Sequence, residues 1–543
     1  MEIGHAAKPV REDRISKLDD AVLGHVLSFL PSKQAARAAA LSSRWRDAFA
    51  GVHTVSIEEP EASVPTYDDD DRHRYSHDHG SNKDLHLPSH FGATITAAIV
   101  ARHRSPAATP PLRALRVALH DYKYRDSVTV DQWISYALKQ AGSALELDLR
   151  LRCLPIYCRR AHDDGGDDDT ASSKYGNVVP DSSVQVHMES YFLYTVPRGL
   201  FSSSALRTLR IGPCRLSPPS AISLPSLVEL LLSRVPDGEE EVRRLISACP
   251  RLADLTLESC GTVTALSFPD APRLRRLVLR CCHNLASVII DVSELRAFEY
   301  RGAVPDVSFL TMFGANGWFL TMPSLTSCNV DICSGEISAP EKLSRLTAFL
   351  YQFASAKHLR LRSERLCPSI GDDTVTRLPT FRNLQHLELW GHLPTDDDAA
   401  DIISTTSRIL RHAPNLEVLS FVFETGTRTD ADKDGPLPHG RYNCKEEELL
   451  DAHRLRYNRY SVLDAPTGGA RLPCLANRVR EINLVHYQGG RAQRKLAKFL
   501  LCNAWVMDEL WCQFAEGPLW MQTELMREMK SWVTNKNANT VFR

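Results

Sequence analysis

The chain has 543 residues, more than one hydrophobic core usually serves, so its length predicts two or three domains, or a small module joined to a long array. Lysine and arginine number 65 against 66 aspartates and glutamates, which leaves a net charge of −1 and no positive excess for nucleic acid or an anionic membrane. The longest mostly apolar run, residues 92–101, is far shorter than the roughly 20 residues of a membrane span. The N-terminal residues are charged where a signal peptide would be apolar, so we expect a soluble protein.

Cysteine and histidine form no metal-ligand pattern in the sequence. The 14 cysteines include no C-x-x-C pair, and Cys249, Cys260 and Cys281 fall within apolar patterns, where a thiol packs as a small hydrophobic group. Histidines cluster in residues 73–79, beside an acidic run and without a helix or strand period that would fix ligand geometry. The acidic residues 163–169 lack the spacing of a calcium-binding loop. We therefore expect reduced, buried thiols and solvated loops, with no metal and no cofactor.

Residues 13–50 predict a compact helical module. One helix is indicated by apolar residues at i, i+3, i+4 and i+7, namely Leu23, Val26, Leu27 and Leu30. Pro31 ends this helix. A second helical stretch is indicated by apolar residues at three- and four-residue steps, namely Ala38, Leu41, Trp45 and Phe49. Fewer than about forty residues cannot bury all of this apolar surface alone, so the module predicts a protein interface.

The same segment resembles an F-box. The residues that carry the resemblance are 13–16 (DRIS), Leu18, Asp20, Leu23, 26–31 (VLSFLP) and 41–46 (LSSRWR). The sequence departs from the family at Asp19, where proline is usual. Aspartate also suits a helix N-terminus, but we expect a weaker apolar contact with the partner at that position.

The resemblance implies that the module binds a Skp-family adaptor and, through it, a cullin and a ring-finger protein. It assigns the adaptor contact to Ile15, Leu18, Leu23, Val26, Leu27, Leu30, Pro31, Leu41, Arg44 and Trp45. For Leu41 and Trp45, packing within the module is an equally good interpretation. The resemblance also implies a location inside the cell, in the nucleus, the cytoplasm or both.

A repeated phrase, L-x-x-L-x-L, begins near residue 110 and predicts half-buried strands separated by turns. Its copies begin at residues 206, 227, 252, 274 and 295, steps of 21, 25, 22 and 21 that match the leucine-rich-repeat period. Later copies begin at 325, 356, 384 and 416, and their longer steps leave room for outer helices. A weaker early pair begins near residues 112 and 144. We therefore expect leucine-rich repeats over residues 95–423.

The concave face of such an array is its default binding surface. Residues between the leucines should point outward there, and we assign target binding to Arg207, Arg210, Arg275, Arg276, Arg280 and Arg296. The group Arg275, Arg276 and Arg280 suits an acidic or phosphorylated target, although nearby Glu258 and Glu299 would weaken its field. For any single residue, a solvated strand face is the plainer interpretation.

Polar segments at residues 57–90, 161–184 and 424–470 predict a linker or insertions. Residues 471–543 then predict strand, turn, helix and strand. They resemble the FBD region of plant F-box proteins, and the matching residues are Ile482, Leu484, Tyr487, Gly489, Leu496, Leu500, Leu501, Ala504 and Leu510. We interpret this unit as a cap for the open end of the array, in preference to a separate binding site.

The predicted fold class is α/β: a small N-terminal all-α F-box module, then an irregular leucine-rich-repeat solenoid with a parallel sheet on its concave face, ending in an FBD-like cap. No spacing typical of a nucleophile elbow, a phosphate loop or a zinc helix appears, so we expect a non-catalytic protein. The F-box resemblance implies the substrate-recognition subunit of a Skp–cullin–F-box ubiquitin ligase. The alternatives are a small-molecule receptor of the hormone type, a scaffold outside any ligase, and an enzyme with a cysteine nucleophile.

Overall fold

The structure is a computed structural model. It describes residues 15–59, 90–102, 110–119, 122, 126–151, 193–268, 273–314, 317–333, 337, 339–366, 378–393, 399–424, 455–458, 463 and 472–543. Described residues up to Leu252 form one compact unit, and those from Ala253 onward form a second. Among the helices of these ranges, none is long and apolar enough to cross a bilayer.

The N-terminal module contains three α-helices after a short 3-10 turn at Ile15–Lys17. They are α1 (Asp20–Leu27), α2 (Ser32–Ala39) and α3 (Ser43–Ala50). The Asp19 carboxylate accepts a hydrogen bond from the Val22 backbone N–H at 2.7 Å, so aspartate caps α1. The expectation of one helix through Leu41 and Trp45 was wrong. Ser42 has an extended backbone and accepts from the Trp45 N–H at 3.2 Å, which starts a separate helix.

The core of the module lies between α1 and α3. Leu23, Leu27 and Phe49 are buried there together with small residues of α2. Gly24 permits the close approach of the two helices, since a Cβ at this position would lie 2.9 Å from the Ala48 carbonyl oxygen. The fully buried Arg102, at the end of the next long helix, links that helix to the module, because its guanidinium donates to the Val52 carbonyl at 2.6 Å.

The rest of the first unit is built on parallel strands. Its strands are β1 (Thr54–Glu58), β2 (Leu112–Ala118), β3 (Ala141–Arg150), β4 (Tyr194–Thr195), β5 (Leu206–Gly212), β6 (Cys214–Arg215) and β7 (Glu229–Ser233), and its helices are α4 (His90–Arg102), α5 (Ser127–Gln140) and α6 (Glu239–Ser247). Strands β1, β2, β3, β5 and β7 pair in that order, all parallel. Leucines of the repeated phrase are buried, and the polar residues alternate with them.

The second unit contains a longer parallel sheet and a short sheet beside it. The long sheet starts with β8 (Asp254–Glu258), β10 (Arg276–Arg280), β12 (Ala297–Gly302), β15 (Ser327–Ile332), β16 (His358–Arg365), β17 (His386–His392) and β18 (Val418–Phe423). The short sheet contains β9 (Ala265–Phe268), β11 (Ser287–Asp291), β13 (Leu310–Gly314) and β14 (Gly317–Phe319). In the short repeats, the segment between two strands of the long sheet therefore contains a short strand. Two of the longer repeats contain the expected helices instead, α7 (Pro340–Tyr351) and α8 (Ala399–Arg411).

The C-terminal segment extends this sheet. After α9 (Pro473–Asn477) come β19 (Glu481–Tyr487), α10 (Arg491–Asn503), β20 (Glu509–Phe514), α11 (Leu519–Trp532) and β21 (Asn539–Phe542). Strand β19 pairs in parallel with β18, and β20 and β21 follow. The order strand, turn, helix and strand matches the sequence analysis. The predicted fold class, a small all-α module followed by leucine-rich repeats with a parallel sheet, is confirmed.

Candidate functional site

Several large apolar side chains are exposed on the N-terminal module. The large apolar side chains that remain exposed there are Ile15, Leu18, Val22, Val26, Phe29, Leu30 and Leu41, which we call the apolar patch. Phe29 is 74% exposed and Leu41 is 80% exposed, although both are large hydrophobic residues. The module already has its own buried core, so these side chains are not needed to complete it. A group of exposed apolar residues on so small a module indicates a surface for a protein partner.

Ion pairing holds part of this patch in place. Arg44 on α3 donates from Nε to the Asp20 carboxylate at 2.9 Å. The same guanidinium donates to the backbone carbonyl of Leu18. The segment before α1 is thereby fixed against α3, and Leu18 is presented beside the first turn of α1. Both charged groups are well exposed, so the pair orients the segment more than it stabilises the fold.

The structure corrects two of the residues assigned to the adaptor contact. Leu23 and Leu27 are each only 1% exposed and lie in the module core, so they cannot touch a partner directly. Trp45 is half-buried against the same core, while Pro31 is exposed. The assignment missed Val22 and Phe29, which are exposed on α1 and in the turn after it.

A second candidate surface is the side of the long sheet that bears polar side chains, here called the polar sheet face. Arg280 on β10 lies between the carboxylates of its two neighbouring strands, 2.6 Å from Glu258 Oε1 and 2.7 Å from Glu299 Oε1. Burial lowers the pKa of Arg280, but the hydrogen bonds to Glu299 and Glu258 outweigh it, and the net shift is upward. This guanidinium is a cross-strand clamp that donates to both neighbouring strands.

The same pairing continues along the face. It includes Arg276 with Glu299 at 3.7 Å, Arg301 with Asp331 at 3.4 Å, Arg360 with Glu388 at 3.1 Å, and Arg362 with Asp331 at 3.3 Å and Glu424 at 2.7 Å. We call this series the ion-pair ladder. Each arginine in it has a carboxylate within reach, so the face is polar without carrying a strong net charge.

A groove of about 450 Å³ opens on this face. The rings of His358 and His386 stack in it with centroids 4.3 Å apart. Burial, followed by the charges of His386 and Lys357, lowers the pKa of His358, so its ring is neutral at neutral pH. The buried Oδ1 of Asn329 also lines the groove and has no hydrogen-bond partner in the part of the chain that the structure describes. The groove thus offers the neutral ring of His358, stacked on His386, to a bound group.

Beside the groove, charged and aromatic groups stack. The Arg360 guanidinium lies 5.3 Å from the centroid of the Trp390 ring, and Arg362 lies 5.7 Å from the same ring. The Trp390 indole N–H donates to Glu388, which also accepts from Arg360. These contacts fix the long side chains at the edge of the groove, so a bound segment would meet an ordered surface.

The six arginines assigned to target binding divide into two groups. Arg210, Arg276 and Arg280 are paired with carboxylates, Arg210 with Glu229 at 2.6 Å. For Arg280, the nearby Glu258 and Glu299 named in the sequence analysis accept its hydrogen bonds within the sheet. In contrast, Arg207, Arg275 and Arg296 are exposed near the starts of their strands. The sequence analysis missed the groove residues His358, Arg360 and Asn329, although the repeated L-x-x-L-x-L phrase places them on the same face as the arginines.

Comparisons with known proteins match the N-terminal module and much of the repeat region. The F-box domain model matches residues 15–54, and a leucine-rich-repeat model described as At1g61320/AtMIF1, LRR domain, matches residues 182–419. Three similar proteins are from Arabidopsis thaliana. The F-box/LRR-repeat protein At3g59170 is 25% identical over 76% of this chain and 81% of its own length. F-box/LRR-repeat protein At2g42730 is 24% identical over 76% and 77%, and F-box/FBD/LRR-repeat protein At4g26340 is 26% identical over 66% and 68%.

Proposed function

We propose that this chain, which belongs to the plant F-box/leucine-rich-repeat proteins, is the substrate-recognition subunit of a Skp–cullin–F-box ubiquitin ligase. The F-box module binds a Skp-family adaptor, and the adaptor connects it to a cullin and a ring-finger protein. The repeats bind the target protein. The chain itself carries out no chemistry and acts inside the cell, in the nucleus, the cytoplasm or both, by holding a target near the transferring enzyme.

The observation that carries this proposal is the apolar patch on a module that already has its own core. Burial of apolar surface stabilises a complex by about 25 cal/mol per Å² before the entropic costs of association. Aromatic and aliphatic side chains such as Phe29 and Leu41 are exposed where a partner can cover them. An adaptor with a matching apolar groove gains most of its binding energy from such residues.

The adaptor contact is tested by charge substitutions in the patch. Phe29→Asp combined with Leu41→Asp should reduce co-purification with a Skp-type adaptor by at least about tenfold, because two apolar contacts are replaced by buried charge. The matched control is Leu519→Asp, since Leu519 is equally exposed, at 74%, but lies in the C-terminal segment. The thermal midpoint should be unchanged in both proteins. Undiminished adaptor binding by the double variant would show that the patch is not the contact.

We propose that the target protein binds on the polar sheet face, around the groove. The lining is largely polar, with His358, Arg360 and Glu388 at the surface. Small-molecule pockets are mostly apolar and enclosed, so these residues support a protein or peptide segment in preference to a hormone-type ligand. A segment with hydrogen-bonding side chains and an aromatic or apolar residue would match the polar lining and the stacked imidazole rings.

The target surface is tested separately from the adaptor contact. Arg360→Glu reverses the charge beside the groove and should change which proteins are recovered with the chain after cross-linking, while adaptor binding persists. Arg345→Glu is the control, because Arg345 is exposed on α7 and pairs with Asp306 away from the groove residues. If both variants recover the same proteins as the unchanged chain, the groove is not the recognition surface.

A further inference from the structure

Two cysteines and a histidine meet at one end of the second unit. One ligand atom from each of Cys281, His283 and Cys333 lies within 4.8 Å of the other two. Cys281 directly follows strand β10, and Cys333 directly follows β15. Strand β12 runs between these two strands, and at its end Gly302 carries no side chain. Three metal-binding groups from two different repeats therefore share one place.

The backbone fixes both cysteines at this position. The Cys281 N–H donates to the Arg301 carbonyl at 2.6 Å, and the Cys333 N–H donates to the Gly302 carbonyl at 3.0 Å. Both cysteines are thus held against the end of β12. Cys281 is buried, and His283 and Cys333 are half-buried. Ligands on fixed backbone lose little freedom when they bind an ion.

The unsatisfied imidazole of His283 indicates that this cluster binds a ligand. Both its Nδ1 and its Nε2 are shielded from solvent, and neither has a hydrogen-bond partner within the described ranges. A neutral imidazole has one donor and one acceptor, and leaving both unsatisfied away from water is costly. A cation bound at one ring nitrogen would satisfy the acceptor. The calcium-type alternative does not fit, because calcium prefers oxygen ligands.

We infer that Cys281, His283 and Cys333 form a binding site for a thiolate-preferring divalent cation, with Zn²⁺ as the best fit. Zinc takes cysteine sulfur at about 2.3 Å and imidazole nitrogen at about 2.0 Å, which places ligand atoms about 3.5–4 Å apart. The observed cluster needs to contract by only about 1 Å, within the range of side-chain rotation. Two sulfurs and one nitrogen leave a fourth position for water or a further ligand. The ion would link the ends of β10 and β15.

Zinc uptake by the reduced, chelator-treated full chain is the direct test. We expect about one equivalent of Zn²⁺ per chain, measured against a chromogenic chelator. We also expect a rise in the thermal midpoint of about 5 °C when free zinc exceeds the dissociation constant a hundredfold. Cobalt in place of zinc should give visible bands of tetrahedral geometry and a near-ultraviolet thiolate-to-metal band. The bands report cysteine ligation in the unchanged chain, so this test does not depend on any variant folding.

Single substitutions then identify the ligands. Cys281→Ser, Cys333→Ser and His283→Gln should each weaken zinc binding by at least about tenfold. Cys502→Ser is the matched control, because Cys502 is also half-buried but lies outside the cluster, and it should bind zinc normally. Cobalt bound without the thiolate band would overturn the inference. So would a Cys281–Cys333 disulfide in protein isolated without reductant, if the reduced chain takes up no zinc.

Discussion

The guanidinium of Arg494 donates two hydrogen bonds to the carboxylate of Glu528, from Nε at 2.9 Å and from Nη2 at 2.6 Å. This bidentate pair joins α10 to α11 in the C-terminal segment. Arg494 is almost completely buried, its side chain being 4% exposed, and it also lies 5.0 Å from the centroid of the Tyr457 ring. The pair is therefore a structural link between the last two helices.

Loss of the Arg494 charge should destabilise this segment. Arg494→Met leaves the Glu528 carboxylate without its cation, although the Tyr457 hydroxyl still donates to it at 3.2 Å. The change should cost about 2 kcal/mol, below the usual value for a fully buried pair because Glu528 is 26% exposed. Arg527→Met is the control, since Arg527 is 70% exposed and its pair with Glu524 should be worth less than about 0.5 kcal/mol. Hydrogen exchange in α10 and α11 measures both effects, and equal protection in the two variants would contradict this prediction.

The turn between β19 and α10 requires glycine at its middle residue, Gly489. Gly489 has φ +75°, and a Cβ there would lie 2.7 Å from Leu525 Cδ1. Gly489→Ala should therefore lower the free energy of unfolding by about 1–3 kcal/mol, through backbone strain and overpacking. Gly490→Ala should change it by less than about 1 kcal/mol, because a Cβ there meets no atom within 4 Å. The two alanine variants are compared by urea denaturation, and a Gly490 variant as unstable as the Gly489 variant would disprove the explanation.

The stability of the F-box module should fall in mild acid. His25 Nδ1 and His53 Nε2 are 3.0 Å apart, so both rings cannot be protonated without repulsion. Burial, followed by the charges of Arg113, His25 and Arg102, lowers the pKa of His53. As pH falls, His53 in the unfolded chain binds a proton near the usual histidine pKa of about 6.5, whereas His53 in the folded chain binds it only at lower pH. The stability contributed by neutral His53 is complete above that pH and is lost as pH falls through the lower folded pKa.

Proteolysis of residues 15–59 measures this effect, with cleavage of an unfolded substrate as the reference at each pH. His53→Gln should make protection of the module less dependent on pH between about 7.5 and 5.5. His392→Gln, a change in the second unit, should leave that dependence as it is. An unaltered pH profile in the His53 variant would mean that another group titrates.

The two kinds of arginine on the polar sheet face should respond differently to the same substitution. Arg280→Gln leaves the mostly buried Glu258 without its cation, and leaves Glu299 with only the longer pair to Arg276 at 3.7 Å. The change should cost about 1–2 kcal/mol, measured as hydrogen exchange in β8, β10 and β12. Arg275→Gln should change exchange little, because Arg275 is exposed. Equal protection in both variants would show that the Arg280 contacts do not support the sheet.

The strands were predictable because the signal is local. Leu277 and Leu279 are buried two residues apart, and the same spacing recurs in each repeat. The period alone therefore identifies which residues face the core. The C-terminal order of strand, turn and helix was predictable for the same reason, with Gly489 marking the turn.

The details of the F-box module depend on contacts between helices. The apolar period continues through Leu41, but the hydrogen bond from the Trp45 N–H to Ser42 starts a new helix. Helix α1 is apolar on several sides, and its core side is set where Gly24 meets α3. The period could not show that Leu27 would be buried and Phe29 exposed.

Contacts between repeats also could not be predicted from the sequence. The phrase places Arg280, Glu258 and Glu299 on one face, but only the register of β8, β10 and β12 shows that they form pairs. Similarly, Cys281 and Cys333 have no recognisable ligand spacing, and they meet because β10 and β15 end at the same edge. The way in which the repeats stack determines both the ion pairs and the cysteine cluster.

The ion-pair ladder also has a consequence for the speed of target capture. Long-range attraction raises association rates only where a surface carries unbalanced charge, and the arginines of the ladder each lie beside a carboxylate. A target would therefore reach this face by unassisted diffusion, at about 10⁵–10⁶ M⁻¹ s⁻¹ and with little dependence on salt. Affinity for one target over another would then be expressed in how slowly the complex dissociates. Under the proposed function, a long residence time would allow several successive transfers of ubiquitin to the same bound molecule.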